Sequence, residues 1–286
     1  MPQPTPLRPA PEGSGATFIH PQASVHRDAR LGTGVEIGPW CTVGPGVSLG
    51  NDVRLVSHVV VDGDTEVGEG AVLYPFCTVG MAPQDLKYRG EPTRTAIGAR
   101  THVREHCTVH RGTVTGTGVT RVGADCLLMA VVHVAHDCTV GDGVVIANNV
   151  VMGGHVSIGD RAVIGGSAAL HQFVRIGRGA MVGGVSGVEA DVIPFGSVIG
   201  NRARLAGLNV VGLRRRGVDR ASIHALRAAV RRLYKPGTAV FADRLYQLRA
   251  EHGDDPLVME LLDFVEAPSK RGLIRTALTN HAEDDD

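Results

Sequence analysis

Counting by six from Ile19 lands on Val25, Leu31, Ile37, Val43, Leu49, Leu55, Val61, Val67, Leu73 and Val79, an unbroken series of Ile, Leu and Val. The fourth residue after each anchor is small or short: Ala23, Ala29, Val35, Cys41, Val47, Val53, Val59, Thr65, Ala71 and Cys77. Gly follows the anchor at Gly32, Gly38, Gly44, Gly50, Gly68 and Gly80. No other feature restricts the fold as much as this hexapeptide repeat. The aliphatic residue fills a corner of a thin core, the small residue fits beside it, and Gly or Asn turns the chain. Each unit is a short strand plus a turn, and it buries itself only against its neighbours. A core that thin has no room for large rings, and the chain of 286 residues holds only six Phe, four Tyr and one Trp against 38 Gly.

The register resumes at Ile97, Val103 and Val109, slips by one, and runs from Val122 through Leu128, Val134, Val140, Ile146, Met152, Ile158, Ile164, Leu170, Ile176 and Val182 to Val188. This pattern resembles that of hexapeptide-repeat acyltransferases. The resemblance implies a left-handed parallel β-helix with three hexads in each coil of about 18 residues, a hand opposite to the usual crossover rule. The 18 residues from Val79 to Ile97 then read as a loop that leaves the coil phase intact. Cys41, Cys77, Cys107, Cys126 and Cys138 all fall four residues after an anchor, so they read as core packing rather than a disulfide framework or zinc site.

The hexads stop after Pro194. Asp219 then caps an expected helix with Ile223, Leu226, Val230 and Leu233 on one face, ended by KPG at 235–237. Thr238 starts a second with Phe241, Leu245 and Leu248, and after Gly253 the DDP at 254–256 opens a third with Leu257, Leu261, Leu262 and Val265. The expected division is a disordered proline-rich extension over 1–17, a mainly β solenoid over 18–200 with an inserted loop at 81–96, and a connecting segment over 201–217. A small α-helical domain over 218–278, covering the open end of the solenoid, and an acidic tail over 279–286 follow. The 29 basic and 29 acidic residues give no global field for nucleic acid. No apolar run is long enough for a transmembrane segment, and the N-terminus does not read as a signal peptide, so a cytoplasmic protein is expected.

In a solenoid, function sits where the repeat departs from itself. The departures are the polar insertion MAPQDLKYRGEPTRTA, the slip around GTVTGTGVTR, and a set of histidines. Val134, Met152 and Leu170 are 18 apart, which places His136, His155 and His171 along one edge of three successive coils, with His133 and His110 as candidates nearby. A neutral imidazole suits general-base work near neutral pH. Asp137 beside His136 is either its orienting partner or a turn-forming Asx residue. Two other classes stay open: a zinc hydratase of the γ-carbonic anhydrase kind, whose ligand spacing this sequence does not match closely, and a non-catalytic scaffold.

QDLKYRGEPT (84–93), HRGT (110–113), HVAHDCTVG (133–141), GGHVSIGD (153–160), HQF (171–173), GGVSGV (183–188) and GLRRRG (212–217) resemble the motif series of UDP-N-acetylglucosamine acyltransferases (LpxA) of lipid A synthesis, from about residue 18 to GLIR at 272–275. The resemblance implies that His136 is the base taking the proton from a sugar 3-hydroxyl, with Asp137 as its partner. That hydroxyl attacks a 3-hydroxyacyl thioester on acyl carrier protein directly. The Gly154 N–H holds the oxyanion, and no cofactor or metal takes part. It further implies that His133, His155, His171, Gln172 and His110 line the substrate site, that Asp85 and Lys87 sit on a loop closing over it, and that Asn209, Arg215 and Arg216 reach uridine and phosphate. Gly184 limits acyl length and leaves room for a long chain, about C14 in Gly-bearing members. Val211 departs from the pattern, since some members carry an acidic residue there. The implied assembly is a homotrimer with active sites between subunits. Arg214 to Arg216 with Arg231, Arg232 and Lys235 make a basic face for the acidic carrier protein. Transfer to a related UDP-amino sugar, with an amine as acceptor, is the alternative within the class.

Overall fold

The computed structural model describes residues 15–235 and 241–276. Pro236 and Gly237 of the expected KPG turn, the Thr238 helix start, the acidic tail and most of the N-terminal extension lie outside these residues. Short strands wind into a left-handed parallel β-helix with three faces. The first face collects strands such as Phe18–Ile19, Glu36–Ile37 and Arg54–Leu55, the second Ser24–Val25, Thr42–Val43 and Val60–Val61, and the third Arg30–Leu31, Ser48–Leu49 and Asp64–Val67. Anchors pair directly with anchors one coil on, as Val134 does with Met152 and Met152 with Leu170. From Val35 to Val198 these side chains and the small residues between them are almost wholly buried. Burial of each anchor stabilises by about 1.5–3 kcal/mol, but only when the coils above and below are in place. At the N-terminal end no coil of the described residues lies below, and Phe18 and Ile19 stay exposed.

The second residue of most corners takes the left-handed backbone region without being glycine, as at Asp137 (φ 58°), His155 (φ 63°) and Phe173 (φ 66°). Each such residue costs on the order of 1 kcal/mol. Stacking along the column offsets part of that cost: Phe76 lies flat on His106 at 5.0 Å, and His155 on Phe173 at 4.4 Å.

The coil phase across the insertion differs from the sequence expectation. Val79 lies on the second face and Ile97 on the third, so their separation is one ordinary hexad step plus a 12-residue insertion (18 − 6), not a whole skipped coil. A period of six returns an anchor to register without saying which of three faces it joins. Likewise Val109 lies on the second face and Val122 on the third, so the slip is a seven-residue insertion (122 − 109 − 6). Both insertions therefore emerge at the same corner, between the second and third faces. Strands Thr78–Met81 and Arg94–Ile97 also reach into the expected loop.

The coil continues past Pro194 with Gly196–Ile199, which pairs parallel to Met181–Val182, and Arg204–Leu208 folds back antiparallel on it. Four helices follow: α1 (Val210–Arg215), α2 (Arg220–Leu233), α3 (Phe241–His252) and α4 (Pro256–Glu266). The connecting segment thus holds a strand and a short helix that periodicity does not signal. Asp219 caps α2 through Ser222 N and Asp255 caps α4 through Leu257 N and Val258 N. The helices bury Ile223, Leu226, Leu248, Leu261 and Leu262 among themselves. Arg178 pairs with Glu260, and Arg175 reaches Asp191 and the carbonyl of Phe264, which ties this domain to the last coils. All five cysteines are buried in the solenoid, and burial pushes the thiols up, to about 11 at Cys107 and Cys126 and about 12 at Cys138. Such thiols do not serve as nucleophiles.

Candidate active site

The corner that carries both insertions also carries the histidines on the next three coils. His136 and Asp137 are the two turn residues between strands His133–Val134 and Thr139–Val140. His155 occupies the second turn position one coil on, and Gln172 and Phe173 the pair after that, with His171 just before them. Asp137, His155 and Phe173 thus form one column.

The seven-residue insertion wraps the Asp137 side chain, which is fully buried. Thr113 donates to the carboxylate from N (3.1 Å) and Oγ1 (2.6 Å), Gly118 from N (3.0 Å), and Thr117 from Oγ1 (3.2 Å). Thr120 fixes the Asp137 backbone N–H at 2.8 Å. A Cβ on Gly116 would stand 2.3 Å from the carboxylate carbon, so the wrap closes only over glycine. Burial opposes the charge on Asp137, but the hydrogen bonds from Thr113 and His136 outweigh it and hold the carboxyl below its usual range. An ionised Asp137 accepts from Nδ1 of His136 at 2.8 Å. This assigns the proton to Nδ1 and leaves Nε2 of His136 with a lone pair facing the groove.

The His136 ring lies against Gly154 of the next coil: a Cβ there would stand 2.5 Å from Cε1 and 2.6 Å from Nε2. The N–H of Gly154 donates to nothing among the described residues. A base lone pair and a backbone donor without a partner among the described residues therefore lie on adjacent coils, side by side. His155 meets His136 edge-on at 5.0 Å and stacks on Phe173, and burial lowers its basicity despite Asp137 nearby. His133 and His110 pack edge-to-face at 4.9 Å, with His133 Nδ1 2.7 Å from Thr108 Oγ1. Burial pushes His110 down to about 4, helped by His133 and His136, and lowers His133 as well. Burial thus favours the neutral form of His110, His133 and His155. Asp85 turns the inserted loop through Lys87 N at 2.9 Å and acts through space on His155, while Lys87 is exposed.

His136, Asp137 and His155 offer nitrogen and oxygen atoms within 4.8 Å of one another, a spacing a metal ion accepts. Both oxygens of Asp137 are already occupied by the Thr113, Thr117, Gly118 and His136 donors, and a metal would have to strip them away. The donor set fits an imidazole orienter better than a metal ligand.

The other site residues lie on other corners. Gly184 sits between the first and second faces, where an added Cβ meets only Gly166, at 3.3 Å from its carbonyl oxygen. Asn209, Arg215 and Arg216 lie by the corner between the third and first faces. Asn209 caps α1 through Gly212 N and donates to the Gly179 carbonyl, both at 3.0 Å, so its side chain is engaged within the chain. Arg216 is tucked in against Arg161 O at 2.8 Å, while Arg214 and Arg215 are exposed. Arg232 is held by Glu251 and Gln247, whereas Arg231 and Lys235 are exposed.

Several contributors have little sequence signal. Thr117 and Gly118 show only as a slip in the repeat, and Thr113 as the end of the HRGT motif with no role attached to it. Phe173 stands 18 residues after His155 and 36 after Asp137, a coil period that would have picked it out. Lys270 and Arg271 come to the Gln172–Phe173 turn from about 100 residues away.

Fold and site define a hexapeptide-repeat acyltransferase, with a His–Asp pair where an acyl-enzyme would need an activated hydroxyl or thiol. Comparison narrows the class. A family model described as UDP N-acetylglucosamine O-acyltransferase, domain 2, matches residues 191–274, and one described as bacterial transferase hexapeptide (six repeats) matches residues 120–154. The structure of UDP-N-acetylglucosamine O-acyltransferase (LpxA) from Moraxella catarrhalis is 42% identical, with a TM-score of 0.87 over 90% of this chain and 99% of that one. LpxA from Acinetobacter baumannii is 39% identical over 90% and 99%, with a TM-score of 0.85. The LpxA structure from Bacteroides fragilis is 34% identical over 90% and 100%, with a TM-score of 0.86. The chain belongs to the UDP-N-acetylglucosamine acyltransferase family. Among the described residues no helix is long and apolar enough to cross a membrane.

Proposed function

We propose that this protein transfers a 3-hydroxyacyl chain from acyl carrier protein to the 3-hydroxyl of UDP-N-acetylglucosamine in the cytoplasm, the first step of lipid A synthesis. The observation that carries the mechanism is the His136 ring packed against Gly154, whose N–H has no partner among the described residues, with Nδ1 tied to a buried, ionised Asp137. His136 takes the proton as the sugar hydroxyl attacks the thioester carbonyl. The Gly154 N–H receives the negative charge on the tetrahedral oxygen. The imidazolium, stabilised by Asp137, then returns the proton to the departing thiolate. His133, His155, His171 and Gln172 line the acceptor side of the groove, with His110 behind them. Asp85 and Lys87 close over it.

A homotrimer accounts for the distribution of the remaining groups. The base, the acyl-length position Gly184 and the nucleotide-binding segment lie on three different corners of one chain, which a single copy does not bring together. Packing corner against corner places Gly184 and Arg215 of neighbouring copies at the groove of His136. Arg216 and Asn209 then act chiefly by holding the segment that presents Arg215. Arg231 and Lys235, together with Arg227, border a cavity of about 610 Å³ and offer a basic face to the acidic carrier protein.

The test is a mass-spectrometric assay offering UDP-N-acetylglucosamine with a ladder of 3-hydroxyacyl carrier proteins. The expected product is a monoacylated sugar nucleotide bearing an ester on the 3-oxygen. Turnover only with a 3-amino sugar, or none with any carrier, refutes the assignment.

A further inference from the structure

One cation beside this wall has no part in the chemistry described so far. Lys270 follows α4 on the segment that returns to the solenoid, and its Nζ stands 4.1 Å from the centroid of the Phe173 ring. Phe173 stacks on His155 at 4.4 Å, and His155 meets His136 at 5.0 Å. The ammonium is therefore one aromatic plate beyond His155, and its charge is felt there. Lys270 is exposed, and no carboxylate among the described residues lies within ion-pair distance of it. Arg271 is anchored to the same turn. It donates from Nε to the carbonyl of Gln172 at 2.7 Å and from Nη2 to the His171 ring, which leaves Nη1 unengaged among the described residues.

Two neighbouring cations, neither with a counter-charge among the described residues, thus edge the groove at its C-terminal end. A lysine stem gives up rotamer freedom to rest on a ring, and a bound anion offsets that loss. Both substrates of the reaction above carry such an anion: the pyrophosphate of the sugar nucleotide, and the phosphodiester that tethers the pantetheine arm to the carrier. Lysine binds phosphate as a point charge, while an arginine fixed by two of its nitrogens presents the third in a set direction.

We propose that Lys270, with Nη1 of Arg271 beside it, binds a substrate phosphate at the His155–Phe173 edge of the groove, an inference that rests on the acyl-transfer reading. Within one chain it is separate from the Arg215 segment, which lies at another corner and reaches this groove only from a neighbouring copy.

Lys270→Met keeps most of the stem and removes the charge, and Lys270→Arg keeps the charge. In steady-state assays Lys270→Met is expected to raise the KM of one phosphate-bearing substrate about 10-fold with little change in kcat, and Lys270→Arg to restore most of it. A rise confined to the sugar nucleotide identifies the pyrophosphate. A rise seen with acyl-phosphopantetheine but not with acyl-pantetheine identifies the phosphodiester. Unchanged KM values for all donors and acceptors, or a Lys270→Arg variant as impaired as Lys270→Met, would overturn the proposal. Calorimetry with inorganic pyrophosphate separates this from failure of the acyl-transfer reading: an inactive wild type refutes that reading, whereas equal pyrophosphate binding by wild type and Lys270→Met, with the wild type active and the KM values unmoved, refutes the phosphate site alone.

Discussion

The imidazole of His136 occupies the space that a side chain on Gly154 would fill, with Cε1 2.5 Å from the position of that missing Cβ. Two consecutive coils meet here through a ring and a bare backbone, and the reacting groups are set by that contact. Gly154→Ala should push the base out of line while leaving the core anchors untouched. A displacement of this size costs on the order of 10²-fold in kcat. Turnover measured beside a thermal melt checks this, with the melting temperature of the variant staying near that of the wild type.

Thr113 supplies two of the hydrogen bonds that hold the Asp137 carboxylate. Thr113→Val keeps the shape and the backbone donor but removes the 2.6 Å hydroxyl bond. The buried charge then lacks its shortest partner, a loss of about 1.5–3 kcal/mol in stability. Chemical denaturation gives that figure, and turnover should fall with it because Asp137 sets the His136 tautomer. A variant as stable and active as wild type would show that the insertion merely surrounds the carboxylate.

The buried histidines make stability depend on pH. His110 titrates near 4 in the folded chain against 6.5 for the free side chain. The unfolded chain therefore binds the proton first, and stability falls as pH drops from about 6.5 toward 4 and is fully present above that window. Below it Asp137 continues the decline, since its folded carboxyl is held below the unfolded value. His110→Gln should flatten the upper part of this window by about 2 kcal/mol at pH 5, with His133 and His155 leaving a residual slope. Denaturation midpoints at pH 7 and pH 5, at one protein concentration, give the comparison.

Gly184 has open space except toward the Gly166 carbonyl. Gly184→Ala should be tolerated, while Gly184→Met should fill the channel and shift the preferred donor to a chain shorter by several methylenes, each worth about 0.8 kcal/mol when buried. Competition among donors of graded length, read by mass spectrometry, reports the shift. An unaltered preference would place the acyl chain elsewhere.

Much of the architecture is written in a period of six. The anchors from Ile37 to Val188 are core residues in the structure, and the five cysteines occupy the small inward positions beside them. The period has a blind spot, because it is indifferent to which of three faces an anchor joins. The 12- and seven-residue insertions therefore look unrelated in sequence, although both leave the corner that carries His136. Asn209 and Arg216 look like ligand contacts as residue types, yet a cap on α1 and the Arg161 carbonyl claim them first. Nothing local to Lys270 or Arg271 announces the Gln172–Phe173 turn, which they reach only after four helices have folded between.

The central claim is that His136 deprotonates the attacking hydroxyl. The most direct measurement is the kcat of His136→Ala with a 3-hydroxyacyl carrier protein and UDP-N-acetylglucosamine, alongside a melt to establish that the solenoid is intact. The account predicts a fall of at least about 10²-fold with the melting temperature retained. A folded variant that turns over within about threefold of wild type, far short of what losing a general base costs, would contradict it.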